Sequence, residues 1–174
     1  MLVQIKVLKV AVDRRHKMPV VILQEANGER VLPILIGPGE AQAIATQLEE
    51  MKFARPLTHD LLVAVVAGLG GSLQKVVISR VEGGTYYAEL LIDCKGEMIT
   101  VDARPSDSIA VALRAGAQIF AQDGLLESIV IEIADEHMID FEASPPSFDE
   151  AMGPEQLKEH LRQLNPEDFG RFTP

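Results

Sequence analysis

Twice along this chain an Ala-Arg-Pro tripeptide, Ala54-Arg55-Pro56 and Ala103-Arg104-Pro105, separates a set of β-rich segments from an apolar stretch of helical length. Each half therefore reads as sheet that turns abruptly into helix. Proline fixes φ and has no N–H to leave unpaired, so it suits a helix entrance, and it forces the residue before it into extended geometry. An arginine in that place is held in one pose, where unpaired helix amides make the surroundings positive. The repeated order of strands, Ala-Arg-Pro, an acid and an apolar helix is compatible with an internal duplication.

In the first half, Leu2 to Val12, Val20 to Gln24 and Val31 to Ile36 are rich in Val, Ile and Leu and are divided by polar turns, the second of which holds Asn27-Gly28, a hairpin signal. They predict an antiparallel meander. The apolar phase of the first strand slips from Val3, Ile5 and Val7 to Leu8, Val10 and Val12, which signals either a bulge or burial of both faces. After Gly37-Pro38-Gly39, residues 40–51 place Ala41, Ile44, Ala45, Leu48 and Met51 at helical spacing. Leu61 to Leu69 carries no polar residue, and a helix apolar all round is predicted to be buried all round.

The second half repeats the scheme with strands at 75–81, 86–93 and 98–102, then an apolar helix from Ile109 to Ala117 interrupted by Arg114 and Gly116. Ile129, Ile131 and Ile133 predict a last strand, suited to pairing across a subunit interface. Residues 135–154 have linker composition, and Leu157, Leu161 and Leu164 predict a short helix over 155–164. The expected class is α+β: two antiparallel β meanders, each followed by buried helices, with a short C-terminal helix. The expected division is one domain over residues 1–134 and an acidic linker with a helical tail over 135–174.

A chain of 174 residues that is 47% hydrophobic can bury one core. No apolar run approaches the roughly 18 residues of a membrane span, and Met1 to Lys9 lacks a secretory apolar core, so a cytoplasmic protein without a membrane partner is expected. The single cysteine, Cys94, excludes an internal disulfide and by itself makes no structural zinc site. The net charge of −10 looks hostile to nucleic acid, but its distribution changes that reading. Residues 1–122 hold 13 Lys/Arg and 13 Asp/Glu, whereas 123–174 hold 3 and 13. The body is neutral, and the acidity belongs to a solvating or autoinhibitory tail.

Arg55 and Arg104 can fork onto phosphate as a clamp. The structural alternative is that Thr58 or Asp60 caps one helix and Ser106 or Asp107 the other, each arginine bridging to a nearby acid. Around these entrances gather Glu40, His59, Asp60, Asp102, Arg104 and Asp107. Their carboxylates are of the type that holds Mg²⁺ or Mn²⁺, which makes Glu40, Asp60, Asp102 and Asp107 the candidate metal ligands, while His59 is a candidate proton carrier. Gly37-Pro38-Gly39 is not a phosphate loop, because it lacks the fingerprint spacing and Glu40 puts negative charge where phosphate would sit. His16, His137 and His160 lie in polar segments.

Leu32-Pro33-Ile34 through Gly37 to Glu40-Ala41, then Arg55-Pro56-Leu57-Thr58-His59-Asp60-Leu61, then Asp102-Ala103-Arg104-Pro105-Ser106-Asp107 resemble the bifunctional-nuclease domain family in order and spacing. The resemblance covers about residues 1 to 133, and Asn165-Pro166-Glu167-Asp168-Phe169 is similar to the end of many bacterial members. Ser108 stands where alanine is expected, and Leu35 and Gly39 where bulkier or aromatic residues are common, which puts an aromatic base-stacking platform in doubt. The resemblance implies an α+β fold of unusual topology, a homo-oligomer and specifically a dimer, and RNase and DNase activity of the kind reported for plant relatives. The function expected is a divalent-metal-assisted nuclease on RNA or DNA, with His59, Asp60, Asp107, Arg55 and Arg104 catalytic. The alternative is a non-catalytic homo-oligomeric binding or regulatory module with an acidic tail.

Overall fold

The computed structural model describes residues 1–13 and 17–126. The expected strand at 129–133, the linker, the helix at 155–164, the boundary at 134/135 and His16, His137 and His160 lie outside the described residues. Both meanders are present. The first is β1 (Leu2–Val12), β2 (Pro19–Glu25) and β3 (Val31–Leu35), and the second is β4 (Gly71–Glu82), β5 (Thr85–Cys94) and β6 (Glu97–Ala103). The helices are α1 (Pro38–Leu48), α2 (Thr58–Gly68) and α3 (Pro105–Ala115).

The two meanders belong to one seven-stranded sheet of order β3-β2-β1-β7-β4-β5-β6. The joining strand, β7 (Gln118–Gln122), runs antiparallel to β1 and parallel to β4. Sequence reading missed it because Gln-Ile-Phe-Ala-Gln is short and directly abuts a helix. Gly116 makes the reversal in so little chain: its φ of 66° is the left-handed helix terminus that favours glycine. The phase slip in β1 is a bulge, since the register with β2 shifts between Val7 and Lys9. Lys95 and Gly96, both at positive φ, turn β5 into β6.

Paired residues on neighbouring strands share a side. One face of the sheet thus collects Ile5, Leu23, Leu32, Val76, Ile78 and Ile119, all buried. On it α3 packs against β4, β5 and β7 and between the other two helices, while α1 reaches β1 and β2. Full burial of a side chain such as Ile44 or Ile109 contributes about 2 kcal/mol. The expected burial of α3 holds for Pro105, Ser106 and Ser108 through Ala112, while Asp107 is half-buried and Ala115 is exposed.

The expectation of burial on every side fails for α2. No residue of it is buried, and Leu61 is 57% and Leu69 71% exposed. Its composition is apolar, but among the described residues only α3 and β4 pack substantially against it. Nor are the two Arg-Pro corners equivalent. Pro105 is the first residue of α3, with Arg104 as its extended N-cap, whereas α2 begins at Thr58 after an N-cap at Leu57, so Pro56 stands outside the helix.

Candidate active site

Three helix beginnings meet at one corner: Glu40 in the first turn of α1, His59 and Asp60 in that of α2, and Asp107 in that of α3. Arg104 lies at the centre of a chain of ion pairs. Its Nη1 is 2.9 Å from Glu40 Oε1 and its Nε 2.7 Å from Asp107 Oδ2, while Asp107 Oδ1 is 3.2 Å from His59 Nε2. Residues 48 positions apart are thereby joined. Asp107 and Arg104 hold each other three residues apart, in the pose that the extended N-cap dictates.

Burial pushes the Asp107 carboxyl up, but hydrogen bonds from Arg104 and His59 outweigh it and hold the group below the usual carboxylate range. Asp107 is therefore an ionised acceptor. That assigns the tautomer of His59: Nε2 carries the hydrogen, and in the neutral ring the lone pair is on Nδ1. Hydrogen bonds to Asp107 account for the raised pKa of Arg104. The Arg104 side chain is 67% exposed and spends two of its five N–H groups on these acids, leaving the others for a ligand.

A second pair supports the first. Arg114, only 6% exposed, donates from Nε to Asp60 Oδ1 at 2.6 Å and from Nη1 to the carbonyls of Ala43 and Ala110, both at 3.0 Å. Asp60 Oδ2 accepts the Leu57 amide at 2.8 Å, closing the turn that presents His59. That amide, then Arg114, holds Asp60 below its ordinary pKa against the opposing effect of burial. Arg114 entered the sequence reading only as an interruption of an apolar helix. A lone arginine on such a face was the available signal, because a buried guanidinium needs a partner.

Both lowered carboxylates have the same consequence for stability. A depressed folded-state pKa adds stability above the unfolded value, and that stability is lost as pH falls through the folded one. Urea midpoints should be flat above about pH 5 and drop below about pH 4. Asp60→Asn should be less stable at neutral pH and show a shallower acid limb; an unchanged limb would separate Asp60 from acid sensitivity.

Two other expected site residues do not join the chain of ion pairs. Arg55 is exposed, with no ion pair among the described residues, and does not join Arg104 in a clamp. The reason is its position ahead of the helix rather than at its N-cap. Asp102 pairs with Glu89 in the ladder and lines the same groove as His59, Arg104 and Asp107, without an ion pair to them among the described residues. The capping alternative is met in part: Asp60 caps α2 and Asp107 bridges to Arg104, while Thr58 and Ser106 make no cap bond.

Mg²⁺ or Mn²⁺ would need several oxygens around one point. Asp107 and Asp60 have both oxygens engaged, and Glu40 is paired with Arg104. Among the described residues no three His, Cys, Asp or Glu side chains are grouped to hold an ion. The donor set as folded does not fit a resident cation.

His59, Arg104 and Asp107 form a ridge between two clefts. One is an apolar groove of about 710 Å³ between α2 and the β5–β6 margin. The other is a polar cleft of about 700 Å³ that also holds Glu40, Arg114 and Phe53. Phe53, 47% exposed, went unnoticed in the sequence; its signal was a large aromatic two residues ahead of Arg55 at the first Arg-Pro corner.

A family model described as the bifunctional nuclease domain matches residues 21–134, which include both Arg-Pro corners and every member of the ion-pair chain. An uncharacterized protein of Mycobacterium tuberculosis is 41% identical over 166 residues, covering 95% of this chain and 97% of its own. Bifunctional nuclease 2 of Oryza sativa subsp. japonica is 29% identical over 105 residues, 58% of this chain and 32% of the rice protein. Bifunctional nuclease 1 of Arabidopsis thaliana is 25% identical over 100 residues, 55% of this chain and 31% of its own. No helix among the described residues is long and apolar enough to cross a membrane.

Proposed function

The chain belongs to the bifunctional nuclease domain family, and from that premise we propose that it cleaves phosphodiester bonds of single-stranded RNA or DNA at the corner where His59, Asp107 and Arg104 meet. The observation that carries this reading is the His59–Asp107 pair, a ring nitrogen fixed as donor so that the other is free to accept. The attacking oxygen, from water or in RNA from the neighbouring 2′-hydroxyl, gives its proton to Nδ1 as its bond to phosphorus forms. The bond to the leaving oxygen breaks, and the imidazolium returns the proton to that oxygen. Free N–H groups of Arg104 neutralise the charge that gathers on phosphate.

A single strand is favoured because Phe53 offers a face for one unpaired base across the polar cleft. Phe53→Ala should weaken binding of a short single strand by about 1–3 kcal/mol, close to 5-fold to 150-fold. The check is a fluorescence-anisotropy titration at low salt, repeated as salt rises. A wild-type protein that fails to bind even at low ionic strength would leave the non-catalytic module as the better account.

A further inference from the structure

Glu40, an expected metal ligand, closes on Arg104 instead. Its seat is made by the residue three positions earlier. A β-carbon at position 37 would overlap the Glu40 Oε2, and its nearest neighbours would all be atoms of that carboxylate. Gly37 is extended, at φ −75° and ψ 163°, a conformation open to any residue, so glycine serves there for space and not for backbone freedom. From that seat Oε1 reaches the Arg104 Nη1 at 2.9 Å, joining the N-terminal ends of α1 and α3. Arg104 Nε is committed to Asp107, so the edge left for a phosphate fork is Nη1 with Nη2, and Glu40 stands on it. The two acids are not held alike. Asp107 is fixed from two sides, by Arg104 and His59, whereas Glu40 has Arg104 as its one ion-pair partner among the described residues. An ion pair on an arginine so open to water yields to a better ligand.

We infer that Glu40 is an internal competitor for the phosphate site of Arg104, a specificity-determining residue that an incoming phosphate group displaces. The inference rests on the reading that Arg104 receives the substrate phosphate, and it gives that site an entry threshold. A carboxylate that keeps its place in about 70–90% of molecules lowers the apparent affinity for a phosphate group about 3-fold to 10-fold. Inorganic phosphate, which brings one anionic group and nothing else, is the ligand this threshold turns away. A single strand passes it, because the strand also lays a base against Phe53 in the same cleft. Gly37 serves the site by leaving room for the acid that guards it.

The test is calorimetric titration with inorganic phosphate at low salt, with a short single strand followed in parallel by fluorescence anisotropy. Glu40→Gln should bind phosphate about 3-fold to 10-fold more tightly than wild type. Gly37→Ala keeps every charge but displaces the carboxylate, the mobile end of a flexible side chain, so it should tighten binding as well. A merely structural role predicts the opposite sign, since losing a tie between two helices weakens a site. Adding Arg104→Met to Glu40→Gln should abolish the gain. A gain for inorganic phosphate that the strand does not share would uphold the competition and withdraw the strand from Arg104, so a failure of the cleavage reading shows separately. Glu40→Gln that binds phosphate no better than wild type, or Gly37→Ala that leaves binding unchanged, would overturn the inference even in a protein that cleaves RNA or DNA.

Discussion

Replacing His59 by asparagine is expected to lower phosphodiester cleavage by about 100-fold to 10,000-fold, the usual contribution of a positioned proton-transfer group. Asparagine is too short to reach Asp107 Oδ1 as Nε2 does, so the variant loses the basic nitrogen and the pair with Asp107 together. Asp107→Asn should cost on the order of 100-fold or more by a different route, because an amide no longer imposes one tautomer on the ring and loosens Arg104. Activity of the wild type is expected to persist in EDTA, since Glu40, Asp60 and Asp107 are engaged by Arg104, Arg114 and His59 instead of grouped around a cation. The decisive comparison is cleavage of labelled single-stranded RNA and DNA by wild type and variants purified side by side, with circular dichroism to confirm folding. Equal cleavage by wild type and His59→Asn would remove the catalytic assignment.

Arg114→Met should destabilise the protein by about 2–4 kcal/mol, somewhat below the cost of breaking a fully buried ion pair because Asp60 retains 35% exposure. Methionine conserves much of the volume, so the loss reports polar contacts rather than a cavity. Three elements lose their common tie: the Ala43 carbonyl in α1, the Ala110 carbonyl in α3, and Asp60 at the start of α2. The variant should also lose cleavage, as the Leu57–Asp60 turn that carries His59 loosens. Urea denaturation measures the first effect. A shift within about 0.5 kcal/mol, the range of an ordinary surface change, would show that Arg114 is dispensable to the corner.

Local structure was legible from residues. Alternation and turn chemistry placed β1 to β6 within a few residues, and proline with apolar composition placed the helices, because φ restriction, turn geometry and periodicity act over a few neighbours. The strand β7 was hidden, since five residues after a helix carry almost no periodic signal, and without it two meanders do not become one sheet. The corner was legible in part: Glu40, His59, Asp60, Arg104 and Asp107 do come together, as their positions at helix entrances implied.

Which of them touch was a tertiary decision. Arg104 and Arg55 sit in the same tripeptide, yet one is an N-cap ringed by acids and the other an exposed residue ahead of its helix, a difference of two residues in where each helix starts. Arg114 became a tie among three helices only when α3 was packed between α1 and α2. Sequence by itself determined the secondary elements and the chemical types at the helix mouths, because those follow from covalent geometry and nearest neighbours. Packing alone decided the partners, because an ion pair across 48 or 54 residues exists only once the sheet has brought the helix ends within reach.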